Sequence, residues 1–299
     1  MQQELVDFSD CEAKINNYDG AVFKHPIVYK GEVYLLKFGG SAEPCNADQT
    51  SYIDFPLCEH LGSRCFEALG LPAQKTILGT YRGHRVVACK DFIQELGRTR
   101  FDLVEFKRLE RSYVGWSRQI LKTPQLANIY GVFDELPAIS KIANQAETFF
   151  WKMFLCDALL ANFDRHAGNW GYIHDLETDE LVSPAPVYDC GGCLTPRLTE
   201  EAMARIVDSP SELCQRALAF PKACLLINGK KPAYQEFFEL PEADRCLKVA
   251  REFVPEMDIP AAIAVIEGAP GLSEVHREYL RKTIACRYET LLAPLCESR

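Results

Sequence analysis

Two short stretches of the sequence indicate the fold most clearly. They are Asn162–Gly171, which reads NFDRHAGNWG, and Val187–Gly191, which reads VYDCG. Within them, Asp164 precedes Asn169 by five residues, and Asp189 comes at the end of a predicted β-hairpin. This is the spacing of a phosphotransferase catalytic loop followed by its metal-binding aspartate. The two stretches therefore predict a phosphotransferase site.

The residue types at these positions suit that chemistry. Asp164 supplies a carboxylate that can accept or orient the proton of a substrate hydroxyl. The amide oxygen of Asn169 and the carboxylate of Asp189 are the oxygen ligands that Mg²⁺ prefers. The structural alternative is that Asp164 caps a turn and that Arg165 and His166 lie on the surface. The placement of both later residues favours the catalytic interpretation.

The first part of the chain predicts strands around a single helix. Apolar and β-branched residues, separated by turn residues, indicate four strands, and one segment has helical spacing. The predicted elements are two strands within residues 21–38 joined at Lys30–Gly31, a helix over Ile53–Leu69, and strands near Ala73–Tyr81 and His84–Asp91.

After Asp91 the pattern is mostly helical, with one β-hairpin between Trp170 and Tyr188. We therefore expect an α+β, two-lobed protein-kinase-like fold: a small β-rich N-lobe over residues 1–93 and a larger helical C-lobe over residues 94–299. The predicted helices are Ala146–Ala161, Glu200–Val207, Ser211–Ala219, Pro241–Phe253, Pro260–Glu267 and Ser273–Leu295.

A kinase site also needs a lysine on a strand and a glutamate on a helix to orient it. Lys37 ends the apolar run Val33–Lys37, where a charge is costly unless it is paired. Glu59 on the predicted helix is the expected partner, with Glu67 as the second choice. The alternative is a strand-end lysine that points into water.

The remaining nucleotide contacts are placed by their order in the chain. The segment Tyr18–Lys24 precedes the first long strand and can cover phosphates through backbone N–H groups, although a plain turn is an equal alternative. The segment Cys89–Ile93 lies where a hinge would contact adenine. The expected ATP contacts are Lys37, Glu59, Gly20, Ala21, Lys24, Lys90, Phe92 and His166.

Composition excludes several classes of protein. The 299 residues carry 33 Lys and Arg against 42 Asp and Glu, a net charge of −9. This balance argues against direct binding of nucleic acid. No stretch is apolar enough for a membrane span, and no export signal is visible, so we expect a cytoplasmic protein.

The 13 cysteines are scattered and odd in number. Without an export signal, free and buried thiols in a reducing compartment are expected. Cys190 and Cys193 form the one C-x-x-C pair, and no second ligand pair accompanies it. A tight turn is therefore preferred over a zinc or redox site.

Together, the segments Gly20–Lys24, Leu36–Lys37, Asn162–Gly171 and Tyr188–Asp189 resemble the HipA family of bacterial protein kinases. The resemblance implies that the chain phosphorylates Ser or Thr of a protein substrate with ATP and Mg²⁺. Kinases of this family are often the toxin of a toxin–antitoxin pair, so an antitoxin or regulatory protein is an expected partner. It also implies that Asp164 is the catalytic base, that Asn169 and Asp189 bind metal, and that Lys37 anchors phosphate.

The chain departs from the family in two respects. It resembles the short HipA-like kinases that lack the N-terminal subdomain of HipA. It also has no Ser or Thr between Asp10 and Gly40, where HipA autophosphorylates a serine in the phosphate-covering loop. We therefore expect control by a partner protein or by phosphorylation elsewhere in the chain.

Two other functions remain open at this stage. Phosphoinositide kinases share a similar Asp-Arg-His-x-x-Asn loop, but the region after Asp189 offers only Arg197 before Glu200–Glu201, which is no basic cluster for anionic headgroups. A pseudokinase would bind nucleotide without turnover. The presence of Lys37, Asp164, Asn169 and Asp189 together argues against it.

Overall fold

The structure is a computed structural model that describes residues 5–13, 24–39, 55–115, 117–195 and 198–296. These residues form a six-stranded sheet with one long helix near the N-terminus, followed by a larger, mainly helical part that contains a three-stranded sheet. The expected α+β class, with a β-rich lobe and a helical lobe, is confirmed.

The N-terminal sheet contains six strands, and one helix packs against it. Its strand order is β1-β5-β6-β4-β3-β2, with β1 parallel to β5 and the other pairs antiparallel. The elements are β1 (Val6–Asp7), β2 (Glu12–Ala13), β3 (Lys24–Tyr29), β4 (Glu32–Phe38), α1 (Phe55–Ala68), β5 (Thr76–Tyr81) and β6 (His84–Lys90).

The turn between β3 and β4 lies where the sequence predicts it. Lys30 and Gly31 both have positive φ angles, 50° and 81°, as a two-residue type I′ hairpin turn requires. Leu36 of β4 packs with Phe8 and Ala88 in a small cluster of fully buried residues. This hairpin places Lys37 near the end of β4.

The larger lobe contains a second, antiparallel sheet of order β7-β8-β9. After α11 the chain continues in a π-helical turn and a 3₁₀ turn to residue 296. The elements are α2 (Phe92–Leu96), β7 (Phe101–Glu105), α3 (Phe106–Val114), α4 (Leu126–Glu135), α5 (Ala143–Leu159), β8 (Gly171–Asp175), β9 (Glu180–Pro184), α6 (Glu200–Val207), α7 (Pro210–Ala219), α8 (Tyr234–Phe238), α9 (Asp244–Phe253), α10 (Ile259–Glu267) and α11 (Glu274–Arg287).

Helix α5 is the centre of the larger lobe. Trp151, Met153 and Leu155 are all fully buried, so apolar residues cover most sides of the helix rather than one stripe. A helix that is apolar on most sides lies inside a core. Its C-terminal end leads directly into the stretch that begins at Asn162.

Three strands were missed by the sequence analysis. Phe101–Glu105 was placed in a mostly helical region but forms β7, because it pairs with β8 some seventy residues later in the chain. The two-residue strands β1 and β2 are too short to produce a period-two pattern. None of the described helices is long and apolar enough to cross a bilayer.

The glycine that ends the catalytic stretch is required by the pairing of β8 with β7. A Cβ atom on Gly171 would lie 2.9 Å from the Cα of Glu105 and would also clash with the carbonyl of Val104. We expect Gly171→Ala to lower the free energy of unfolding by about 1–3 kcal/mol, the usual cost of overpacking, as measured by urea denaturation.

Gly268→Ala is the control, because its nearest contact would be the Ala264 carbonyl at 3.3 Å. Equal stabilities for the two variants would contradict the expected clash.

Candidate active site

One lysine joins the two lobes through two carboxylates. The Nζ of Lys37 on β4 lies 2.7 Å from Oε1 of Glu59 on α1 and also forms an ion pair with Asp189. The Lys37 and Glu59 side chains are 12% and 6% exposed, whereas that of Asp189 is 31% exposed. The structure therefore pairs Lys37 with Glu59, while Glu67 on the same helix is exposed to solvent.

The charge on Lys37 is maintained by these partners. Burial by itself would lower the pKa of Lys37, but the nearby carboxylates of Asp189 and Glu59 outweigh it and raise the pKa well above its usual value. Lys37 is therefore a fixed positive charge at neutral pH, next to an aspartate that remains partly open to solvent.

Arg165 is the centre of the catalytic stretch. Its side chain is 3% exposed, and its Nε lies 3.0 Å from Oδ2 of Asp157 on α5. Its Nη1 donates to the backbone carbonyl of Asn169 at 2.9 Å and to that of Tyr188. One guanidinium thus binds α5, the catalytic loop and the residue before Asp189.

The charge of Arg165 is maintained in the same way as that of Lys37. Burial opposes the charge, yet Asp157 raises the pKa of Arg165 well above its usual value. Asn162 completes the network: its Nδ2 donates to Oδ1 of Asp157 at 2.6 Å, and its Oδ1 accepts from the backbone N–H of Asp164 at 3.1 Å. These buried polar groups satisfy one another and fix the course of the loop.

The two central loop residues hold each other by a hydrogen bond across five positions. The Nδ2 of Asn169 donates to the backbone carbonyl of Asp164 at 2.9 Å. This contact uses the donor end of the amide, so the Oδ1 end is the one that can bind a cation. Asn169 is buried, whereas the Asp164 side chain is 44% exposed and can be reached by a substrate.

Lys122 brings a positive charge to Asp164. Its Nζ lies 2.9 Å from Oδ1 of Asp164, and its backbone carbonyl accepts from the N–H of Ala167 at 3.3 Å. Lys122 precedes Asp164 by 42 residues and belongs to no motif, so nothing in the sequence pattern indicated this contact.

His166 lies within electrostatic range of both aspartates. Burial lowers the pKa of His166, while the charges of Asp164 and Asp189 act in the opposite direction. Its Nδ1 lies 3.1 Å from the backbone nitrogen of Gly168, whose N–H donates to it. A neutral imidazole accepts that hydrogen bond, and a protonated one cannot.

The turn after Asp189 is compact and carries its own constraints. Asp189 has a positive φ of 52°, a left-handed conformation that aspartate tolerates better than most residues. A Cβ on Gly192 would lie 2.6 Å from Oδ1 of Asn162, so this position admits only glycine without a shift. The turn therefore lies directly against the catalytic loop.

Cys190 and Cys193 form the tight turn that follows Asp189. The N–H of Cys193 donates to the carbonyl of Cys190 at 2.9 Å, as the predicted tight turn requires. Both thiols are free and buried, and no cluster of three potential metal ligands occurs among the described residues.

The predicted hinge residues differ in what they offer a nucleotide. The Nζ of Lys90 lies 2.7 Å from Glu32 and 2.8 Å from Glu95, and its carbonyl accepts from Gln74. Its polar groups are therefore already engaged in contacts within the protein. The ring of Phe92 lies 6.1 Å from that of Tyr188, beside Asp189.

Three other predicted nucleotide contacts lie partly or wholly outside the described residues. Gly20 and Ala21 fall outside the described residues. Lys24 begins β3 and stands opposite Lys37 in the strand register, and only its backbone is described.

Arg165 and Asp157 were not assigned roles from the sequence. The alternative that places Arg165 on the surface is wrong, because Arg165 is buried and paired. The sequence signal for this buried pair was Asp157, a carboxylate within the apolar second half of helix α5. An unpaired buried carboxylate is costly, so a partner was to be expected.

The chain resembles a bacterial kinase over most of its length. It is 31% identical over 278 residues to the serine/threonine-protein kinase CtkA of Helicobacter pylori strain J99. The aligned residues cover 92% of this chain and 82% of that protein. The crystal structure of the H. pylori proinflammatory kinase CtkA superposes with a TM-score of 0.86 at 30% identity, covering 98% of this chain and 97% of that one. The expected kinase-like fold is confirmed.

A second solved structure shares the fold at low identity. HipA, in a complex of the Shewanella oneidensis toxin–antitoxin system with HipB and operator DNA, gives a TM-score of 0.56 at 14% identity, over 98% of this chain and 69% of the other. No protein-family model matches the chain.

The buried pair of Arg165 and Asp157 generates a stability prediction. We expect Arg165→Met to cost about 3–5 kcal/mol of unfolding free energy, because it leaves the Asp157 carboxylate buried without its partner. Urea denaturation measures this cost.

Arg205→Met is the matched control. Arg205 is 70% exposed and pairs with Glu212 at the surface, so its loss should cost at most about 1 kcal/mol. A cost as small for Arg165→Met as for the control would contradict a structural role for the buried pair.

Proposed function

The chain belongs to the HipA-like serine/threonine protein kinases, and on this premise we propose that it transfers the γ-phosphate of ATP, with Mg²⁺, to a Ser or Thr hydroxyl of a protein. The observation that carries the proposal is the ion-paired lysine: Lys37 contacts both Glu59 and Asp189, beside the loop of Asp164 and Asn169.

The oxygen donors at this site suit a magnesium ion. Mg²⁺ binds proteins through one or two side-chain oxygens and completes its shell with phosphate and water, so it does not need a cluster of three protein ligands. The Oδ1 of Asn169 and the carboxylate of Asp189 supply such a pair, and the guanidinium of Arg165 binds the backbone carbonyls of Asn169 and of Tyr188, the residue before Asp189. When bound, Mg²⁺ would neutralise charge on the phosphate oxygens.

Lys37 is suited to hold phosphate because its charge and its direction are both fixed. Glu59 is buried beneath it and orients the ammonium group. Ionised Lys37 can donate to a phosphate oxygen while it keeps this contact. Such pre-organised charge lowers the barrier without any reorganisation during the reaction.

Asp164 and Lys122 have two further roles in the proposed reaction. The partly exposed carboxylate of Asp164 orients the acceptor hydroxyl and takes its proton as the bond to phosphorus forms. The ammonium of Lys122 lies beside it, where negative charge gathers on the transferred group. Positioning and charge neutralisation supply most of the rate enhancement in phosphoryl transfer.

The adenine ring would lie between the lobes, which we divide near residue 93. Phe92 and Tyr188 offer it an apolar surface next to Asp189. Contacts of ATP with Gly20, Ala21, Lys24, Lys90 and His166 stay predictions.

Similarity to a serine/threonine-protein kinase favours a protein substrate over a lipid. The pseudokinase alternative is disfavoured because Lys37, Asp164, Asn169 and Asp189 are all present. The HipA of the matched complex is assembled with HipB, and we propose that the present chain also has a regulatory or antitoxin protein partner.

The catalytic assignment is tested by two substitutions. We expect Asp164→Ala to abolish phosphate transfer while leaving nucleotide binding and the melting temperature nearly unchanged, since its side chain is partly exposed. Asp189→Ala should weaken ATP binding in the presence of Mg²⁺ more than in EDTA. Transfer from radiolabelled ATP and calorimetric titration measure the two effects.

The control for these variants is Asp179→Ala, which removes a carboxylate that is 93% exposed. If neither the chain nor a lysate protein is labelled, and the Asp164 variant behaves like the unaltered protein, the kinase proposal fails.

An antitoxin role for the proposed partner, with the present chain as the toxin, is tested by growth. Expression of the unaltered chain in a bacterial host should slow growth, and the Asp164→Ala chain at the same level should not, because toxicity would depend on phosphate transfer. Growth curves with and without proteins encoded beside the gene measure this effect. Equal growth of both strains would overturn the toxin role.

A further inference from the structure

A groove on the helical lobe is lined by three lysines. Lys222, Lys230 and Lys231 line a space of about 510 Å³, with Lys222 and Lys230 exposed and Lys231 partly buried. In the part of the chain that the structure describes, none of the three forms an ion pair, whereas the exposed Lys248 and Lys282 pair with acidic residues on their own helices. The groove is thus locally basic in a chain of net charge −9.

The one carboxylate in this groove is already engaged. Oε2 of Glu236 accepts from the backbone N–H of Ala233 at 2.9 Å, at the start of α8. The lysines themselves are held on a hairpin-like segment in which Lys222 pairs with Ala233 and Ile227 with Lys230. Their backbone positions are fixed, and their ammonium groups remain available to a partner.

The lysine groove adjoins the catalytic loop. Phe220, just before the lysine segment, has its ring 6.4 Å from that of Phe163, the residue before Asp164. The thiol of Cys224 contacts the carbonyl of Asn162 at 3.7 Å. Burial raises the pKa of that thiol to about 11, and the charge of Lys231 opposes the rise.

A second connection runs through the segment that carries Lys122. Leu226 donates to the carbonyl of Pro124 and accepts from the N–H of Leu126, both at 2.8 Å. Since Lys122 contacts Asp164, the lysine groove and the catalytic aspartate are joined by a short, hydrogen-bonded path.

We propose that the lysine groove binds an acidic segment of the protein substrate, which flanks the Ser or Thr presented to Asp164. This inference rests on the proposed kinase function and names its substrate class. Lysines without an acidic partner attract glutamate and aspartate side chains, so they favour acidic substrates and increase their rate of encounter. An acidic surface elsewhere would repel a long polyanion such as nucleic acid.

The test uses peptides with one serine flanked by glutamates, by glutamines or by lysines. We expect the glutamate peptides to have a KM about tenfold lower than the glutamine peptides, the scale of a few exposed ion pairs. The variant K222Q/K230Q/K231Q should lose this difference, with kcat and the KM for the glutamine peptide unchanged. Added salt should reduce the difference in the unaltered enzyme.

The matched control is K141Q/K248Q/K282Q, which removes three lysines that do not line the groove and changes the net charge equally. It should retain the preference for glutamate peptides. Melting temperatures of both variants establish that they fold. Equal KM values for the peptide classes, or equal behaviour of the two variants, would overturn the docking proposal and leave the kinase function standing.

If the chain shows no turnover, a direct binding assay separates the docking proposal from the kinase proposal. The anisotropy of a fluorescein-labelled glutamate-rich peptide should report binding to the unaltered chain and to the control variant, and at least tenfold weaker binding to the groove variant. No difference between the variants would overturn docking, whereas failure to phosphorylate any peptide would overturn the kinase function alone.

Discussion

A single buried guanidinium holds the parts of this site together. Arg165 binds the carboxylate of Asp157 on the central helix and two backbone carbonyls, those of Asn169 and Tyr188. Two buried charges are tolerated only when their geometry is good and their remaining hydrogen-bonding groups are satisfied. The loop and the Asp189 turn therefore share one anchor, and neither can move without disturbing the other.

The second constraint acts between the lobes. Lys37 belongs to the sheet, Glu59 to the helix packed on it, and Asp189 to the turn fixed by Arg165. The two networks meet at neighbouring residues, Tyr188 and Asp189. The contact between the lobes and the position of the Asp189 carboxylate thus depend on one connected set of charges rather than on separate elements.

The motif and its supporting elements were predictable because their signals are local. Asp164, Asn169 and Asp189 have fixed spacing, and Glu59 stands among apolar neighbours on a helix whose period is visible. The contact of Lys122 with Asp164 and the pairing of β7 with β8 depend on tertiary structure. The lysine cluster, by contrast, is a local signal: Lys230 and Lys231 are adjacent and Lys222 lies eight residues earlier, beyond the region between Asp189 and Glu200 that was considered for anionic headgroups.

The buried thiols around the site affect how the protein is inactivated when it unfolds. Burial raises the pKa of Cys65 to about 12 and that of Cys89 higher still, so both remain as unreactive thiols in the folded state. Opening the core removes that protection from many cysteines at once, including Cys190 and Cys193. Chains that stay unfolded in air are open to disulfide cross-linking, which would make their loss irreversible, whereas a reductant keeps unfolding reversible.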